Sequence, residues 1–144
     1  MNILYGVLKA LHVLSAVAWV GGMLFAYVVL RPSLSVLEPP QRIALHSQVF
    51  RRFFLIVWHA MPLIVLTGFI MIFAVFGGMA AVAGPVHVMM LLGLVMSAIF
   101  LAIFFGPYRT FRTSPGPAPL DAIRKLIGIN LLIGIVTIVI AVFG

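Results

Sequence analysis

The side chains of this sequence that could do chemistry are histidines inside stretches otherwise fit to cross a membrane. His12 lies one helical turn after Lys9, within a run from 10 to 30 that carries no charged residue. His59 and His87 lie in a second uncharged run, from 53 to 108. An imidazole in hydrocarbon is costly unless it is neutral and partnered, so a functional site is the default interpretation. The structural alternative is an interhelical hydrogen bond.

The depth of each histidine predicts which of them meet. If Lys9 marks the outer membrane boundary, His12 lies roughly 5 Å inside it, because an α-helix rises about 1.5 Å per residue. His87 opens its own span and is therefore near the same boundary. His59 enters from the opposite side and lies roughly 10 Å deep. The sequence thus predicts His12 and His87 as a cofactor-binding or metal-binding pair, and His59 only as an additional ligand.

Two ligand chemistries suit this pair. Imidazole with thioether suits copper, especially Cu(I), and the candidate metal ligands are then His12, His87, Met90, Met89 and Met23. Alternatively, two histidines on facing helices of a bundle can ligate haem b axially, with Gly21 and Gly22 making room for the macrocycle. A third interpretation is a non-catalytic membrane subunit whose histidines are hydrogen-bonded within the core. Spacing alone leaves these three interpretations open.

Several classes of chemistry are excluded by the residues that are absent or misplaced. The only carboxylates are Glu38 and Asp121, and both fall in loops between the apolar runs. No carboxylate pair or buried acid is therefore available for acid–base catalysis or for a Ser–His–Asp arrangement. The sequence contains no cysteine, which excludes thiolate metal sites and thiol nucleophiles. Hydrolase chemistry is not expected, and whether the protein is an enzyme stays open.

The elements that must position the histidines are membrane-spanning helices. Hydrophobic residues make up 65% of the 144-residue chain and charged residues 8%, where a soluble domain has about a quarter of its residues charged. We predict an all-α polytopic membrane protein, a single four-helix transmembrane domain with spans at about 4–30, 53–76, 86–106 and 122–143. The segment 41–54 is expected to form a short amphipathic lead-in. The linker 113–119, TSPGPAP, is expected to be non-helical.

The basic residues predict the orientation of the four spans. The formal net charge is +7, and eight of the nine lysines and arginines lie between spans one and two or between spans three and four. This asymmetry predicts that both termini face the periplasm or exterior and that both basic loops face the cytoplasm. The basic loops are predicted to contact anionic lipid rather than nucleic acid. His46, in the first of them, is expected to face solvent or lipid.

Three stretches resemble the copper resistance protein D family. They are LKALHVLSAVAWVGGMLF in span one, VFRRFFLIVWHAMPLIVLTGFIM in span two and RKLIGINLLIG in span four. This resemblance implies a bacterial inner-membrane protein of copper uptake or copper tolerance, with both termini in the periplasm, in which copper is bound or transported. The membrane unit would act alone, as a homo-oligomer or within a larger complex.

Span one is also similar to the HemJ-type protoporphyrinogen oxidases, four-helix membrane proteins that bind haem b. In that family a histidine in span one and a lysine at the start of a later span are the functional pair. His12 matches the first, and His87 stands about where the lysine would be. The resemblance therefore implies a bis-histidine haem site of a cytochrome b-like redox protein, rather than the oxidase itself.

Overall fold

Four long helices form the chain in the computed structural model, which describes residues 2–143. They are α1 (Ile3–Leu24), α2 (Pro39–Ile70), α3 (Gly84–Phe105) and α5 (Pro117–Val142), with a short α4 (Pro107–Thr113) before the last. All four long helices are long and apolar enough to cross a membrane, and the part of the chain that the structure describes contains no strand. The predicted all-α fold with four transmembrane helices is confirmed.

The helices pack as a ring of antiparallel neighbours. α1 packs chiefly on α2, α3 packs chiefly on α5, and smaller α1–α5 and α2–α3 contacts close the bundle. α1 and α3 are diagonal partners that run in the same direction. They meet at mid-depth, where the ring centroids of Trp19 and Phe100 are 6.4 Å apart. The depths of side chains on these two helices can therefore be compared.

Two helices continue through segments of wider, π-helical geometry. α1 continues through a π-helical segment, Phe25–Leu30. A short α-helical turn, Arg31–Ser33, and a 3-10 turn, Leu34–Val36, follow it. α2 continues through a second π-helical segment, Met71–Val75. π-helical turns are rare and recur at functional sites. The second of these segments begins one turn after Thr67, which contacts His12.

The core of the bundle is aromatic toward one end and mixed at its centre. Phe54 stacks on Phe50 with centroids 5.4 Å apart and meets Tyr108 edge-on at 4.7 Å. Trp19 and Met23 are each 2% exposed at the centre. Large apolar side chains on the outer faces, such as Leu14, are exposed instead. Such a surface needs lipid as its solvent, which explains why so apolar a chain folds with so small a core.

The two ends of the bundle differ in charge. We call the end that carries Lys9 and the loop between α2 and α3 the Lys9 end, and the end that carries the other eight basic residues the basic end. Lys9 is exposed, and its ammonium lies 5.7 Å from the centroid of the Tyr5 ring. This is the arrangement of a long basic side chain at a membrane boundary.

Two helix starts at the basic end fall earlier than the sequence suggests. α2 begins at Pro39, so the amphipathic lead-in is continuous with the span; Glu38 and Gln41 form a capping box there. α5 begins at Pro117 and α4 ends at Thr113, so the expectation of a non-helical linker over 113–119 was wrong for 113 and for 117–119. The reason is that proline is tolerated in the first helical turn, where its missing N–H would have had no partner.

Candidate metal centre near the Lys9 end

His12 makes a hydrogen bond across the interface between α1 and α2. Its Nδ1 lies 2.9 Å from Oγ1 of Thr67. The Thr67 hydroxyl donates its one proton to the backbone carbonyl of Leu63, at 2.7 Å. With that proton directed to the carbonyl, Oγ1 offers a lone pair to His12, and this arrangement matches the tautomer in which Nδ1 carries the ring proton. The lone pair of a neutral imidazole is then on Nε2, which is the form that binds a metal ion.

The backbone of α2 is shaped to receive this ring. Gly68 faces it, and a Cβ atom placed there would lie 3.2 Å from Cε1 of His12. The imidazole is half-buried between the two helices. Met71, one turn beyond Thr67 on the same side of α2, is also buried and opens the π-helical segment. Met71 is the methionine nearest to Thr67 along the sequence. The hydrogen bond between His12 and Thr67 was not predicted from the sequence.

His87 is placed differently from His12. It is exposed, and no hydrogen bond between the two histidines is present in the part of the chain that the structure describes. The contact between Trp19 and Phe100 sets the relative depth of their helices. On that scale His87 lies about 9 Å farther toward the Lys9 end than His12. The structure thus brings His12 to Thr67 and does not bring it to His87, and joint ligation by the two imidazoles stays a prediction.

The predicted methionine ligands are spread along the bundle. Met89 and Met90 are half-buried in the first turns of α3, near His87. Met23 is buried in the central core and lies about 16 Å along α1 from His12. Met23 is therefore too far from His12 to share one coordination sphere with it, and its part as a metal ligand stays a prediction.

A comparison with protein families places this chain. The model of the copper resistance protein D family matches residues 47–143, which is about two thirds of the chain and covers α2 from Ser47 through the end of α5. The chain belongs to the copper resistance protein D family. No match was found among curated proteins or among solved structures. Thr67, Met71 and His87 fall within the matched region, whereas His12 precedes it.

The donor types near His12 and the packing at Gly22 bear differently on copper and on haem. Neutral imidazole and thioether are donors that suit Cu(I). The space expected for a macrocycle at Gly22 is filled, since a Cβ there would overlap the ring of Phe53. Gly21 lies on the outer face, where an added Cβ would meet no atom within 4 Å. Among residues 2–143 there is no cluster of three or more His, Asp or Glu side chains that could hold a metal.

The two remaining histidines satisfy their ring protons within their own helix. Nδ1 of His59 is 2.8 Å from the carbonyl oxygen of Leu55, and its ring is exposed, apart from His12. Its part as an additional ligand stays a prediction. His46 is only 2% exposed and packs at 5.2 Å against Phe50. The expectation that His46 faces solvent or lipid was wrong, because an aromatic neighbour one turn away and the Arg42 carbonyl at 3.0 Å provide it with an interior site.

Proposed function

We propose that this member of the copper resistance protein D family binds Cu(I) at His12, near the Lys9 end, as part of copper uptake or tolerance. The observation that carries the proposal is the hydrogen bond between Nδ1 of His12 and Oγ1 of Thr67. With Nδ1 engaged in this bond, Nε2 is the nitrogen whose lone pair would bind the metal ion. Such an outer partner is typical of metal-binding histidines, because it fixes both the tautomer and the ring orientation.

The charge balance of the helices favours Cu(I) over Cu(II). Both carboxylates of the chain lie at the basic end, Glu38 just before α2 and Asp121 in the first turns of α5, so the side-chain donors near His12 are neutral. A bound ion keeps its full charge in a region of low polarity, and the cost of burying charge grows steeply with that charge. The monovalent ion with soft, neutral ligands is the one that such a site accepts at the lower cost.

The partners of His12 form two alternative sets. In the first, Met71 supplies the thioether from α2, because it shares a helix side with Thr67 one turn away. In the second, His87, Met90 and Met89 supply the donors from α3. These residues either bind the same ion as His12 or form a first binding site about 9 Å farther toward the Lys9 end. His87 is exposed at that end of the bundle, as a residue that captures an ion would have to be.

Competition for Cu(I) tests the site directly. The full chain, purified in mild detergent under reducing conditions, would be titrated with Cu(I) against the chelator bathocuproine disulfonate. We expect one tight site that is lost in His12→Ala. Loss in Met71→Leu but not in His87→Ala selects the first set of partners, and the reverse selects the second. His59→Ala tests the predicted additional ligand, and Thr137→Val, which removes a hydroxyl bonded only to its own helix, is the control.

Two results would overturn the proposal directly, and a third would leave only a structural role for His12. One is a His12→Ala variant that folds normally and binds Cu(I) as the wild type does. The other is a purified wild-type protein with a Soret band that disappears in His12→Ala, because the imidazole would then serve haem. A protein that binds neither, with all histidine variants folded, would be a packing subunit in which the bond between His12 and Thr67 only joins two helices.

A further inference from the structure

A cavity of about 640 Å³ opens at the basic end of the bundle, far from His12. It lies between the segment that follows α1, the first turns of α2 and the first turns of α5. Three arginines line it, one from each of these parts: Arg31, Arg42 and Arg124. Exposed Ser35 and Pro39 form part of its rim, so it is open to the surface.

Two of the three arginines are held in place without being neutralised. Arg42 donates from Nε to the carbonyl oxygen of Leu37, at 2.8 Å. The guanidinium of Arg31 lies 5.2 Å from the centroid of the Tyr27 ring. Neither a carbonyl nor an aromatic face carries a formal negative charge. Both side chains are therefore pre-organised cations beside a concave surface.

Arg124 adds a donor that lacks a partner. One of its terminal nitrogens is ion-paired with Asp121. Its Nε is buried, and no hydrogen-bond partner for it is present in the part of the chain that the structure describes. A buried donor without a partner is costly, and such groups are rare in folded proteins unless a ligand completes them. Of the two carboxylates in the chain, Asp121 is thus engaged, and Glu38 caps the start of α2.

We propose that this cavity binds a phosphate group, in which oxygens of one anion accept hydrogen bonds from Arg31, Arg42 and Arg124. Even with both carboxylates counted, three guanidiniums leave a net positive charge to be balanced. Guanidinium forks from three directions match the several oxygens of a phosphate better than they match a planar carboxylate. A copper ion would be repelled here, so this proposal stands independently of the copper site.

The rest of the lining indicates what can accompany the phosphate. Tyr27, Leu34 and Ile43 give the cavity an apolar wall beside the arginines. His46 forms part of its floor, with Nδ1 donating to the Arg42 carbonyl at 3.0 Å. An anionic phospholipid offers both a phosphate and an apolar portion, and a soluble phosphate offers only the first. The shared chemistry is the phosphate, and the experiment separates the two sources.

Native mass spectrometry of the full chain in detergent, titrated with dioctanoyl phosphatidylglycerol, tests the cavity. We expect binding that weakens about tenfold in Arg31→Gln and in Arg124→Gln, as loss of a charge-assisted hydrogen bond implies. Arg109→Gln is the control, because Arg109 is an exposed arginine in the same basic region that does not line the cavity. Since Arg31 is exposed, Arg31→Gln keeps the test valid if Arg124→Gln does not fold.

The competing probes identify the source and define failure. If inorganic phosphate displaces the lipid from the wild type, the cavity takes a free phosphate group. If it does not, while the two cavity variants still weaken lipid binding, the occupant is a phospholipid headgroup. The proposal is overturned if Arg31→Gln binds phosphatidylglycerol as the wild type does, or if Arg109→Gln weakens binding to the same extent. Equal wild-type binding of dioctanoylglycerol, which has the same acyl chains and no phosphate, and of phosphatidylglycerol would also overturn it.

Discussion

Thr67 holds the His12 ring from a neighbouring helix, with 2.9 Å between Oγ1 and Nδ1. The hydroxyl is itself fixed, because its proton is bound to the carbonyl of Leu63. Oγ1 of Thr67 thus links α1 to α2 and at the same time fixes the orientation of the His12 ring. The consequences for metal binding can be measured without changing any ligand.

Thr67→Val should weaken Cu(I) binding by about tenfold or more while the protein stays folded. Valine keeps the shape of threonine and removes only the oxygen that orients His12. Thr67→Ser, which restores a hydroxyl, should recover most of the affinity. The matched control is Thr137→Val, since the Thr137 hydroxyl bonds only to its own helix, at the Ile133 carbonyl. Equal affinities in Thr67→Val and wild type would show that the hydrogen bond is structural only.

Gly22 allows close contact between α1 and α2 at a different level. A Cβ there would overlap the Phe53 ring, whereas one at Gly21 would meet nothing within 4 Å. Gly22→Ala should therefore lower the free energy of unfolding by about 1–3 kcal/mol. Gly21→Ala should leave it unchanged or slightly raised, because alanine favours the helix. Thermal unfolding in detergent, followed by circular dichroism, would compare them, and equal stabilities would contradict the contact.

The helices could be predicted from the sequence because their signal is long and unambiguous. Uncharged runs such as 53–108 are too long and too apolar for any other structure. Their starts were harder to predict, because prolines such as Pro117 read equally well as breaks and as first helical residues. The capping box of Glu38 and Gln41 is a local signal that could have placed the start of α2.

The candidate site could be predicted only in part. The depth of a residue in the membrane follows from its position along the helix, whereas the direction of its side chain does not. The position of His12 along α1 predicts its depth. It does not predict whether the imidazole points toward α2 or toward α3. The rotation of α1 is set by packing, in which Gly68 admits the imidazole. The same holds for the basic cavity, because the arginines that meet there come from three separate segments.

Asn130 provides a polar contact in the centre of the bundle. It is 1% exposed, and its amide nitrogen donates to the carbonyl oxygen of Met96, at 3.2 Å. Its side-chain oxygen has no partner among residues 2–143. Asn130→Leu should change the free energy of unfolding by no more than about 1 kcal/mol, because interhelical hydrogen bonds are weak in membranes. Asn130→Asp should cost about 3 kcal/mol, since it buries a charge. Unfolding in mixed micelles would measure both, and equal losses would contradict this account.

The orientation of the bundle decides which side of the membrane His12 serves. Eight of nine basic residues lie at one end, so we predict that this end faces the cytoplasm and the Lys9 end the exterior. Alkaline phosphatase fused after Gly144 should be active, and the same fusion at Pro115 inactive; green fluorescent protein fusions should give the reverse. Were the pattern opposite, His12 and His87 would lie toward the cytoplasm, and capture of copper from outside would no longer explain them. The cavity lined by Arg31 and Arg124 would then face the exterior, where anionic lipid would still reach it. The fusions therefore test capture of copper from outside at His12, and either result leaves the phosphate proposal unchanged.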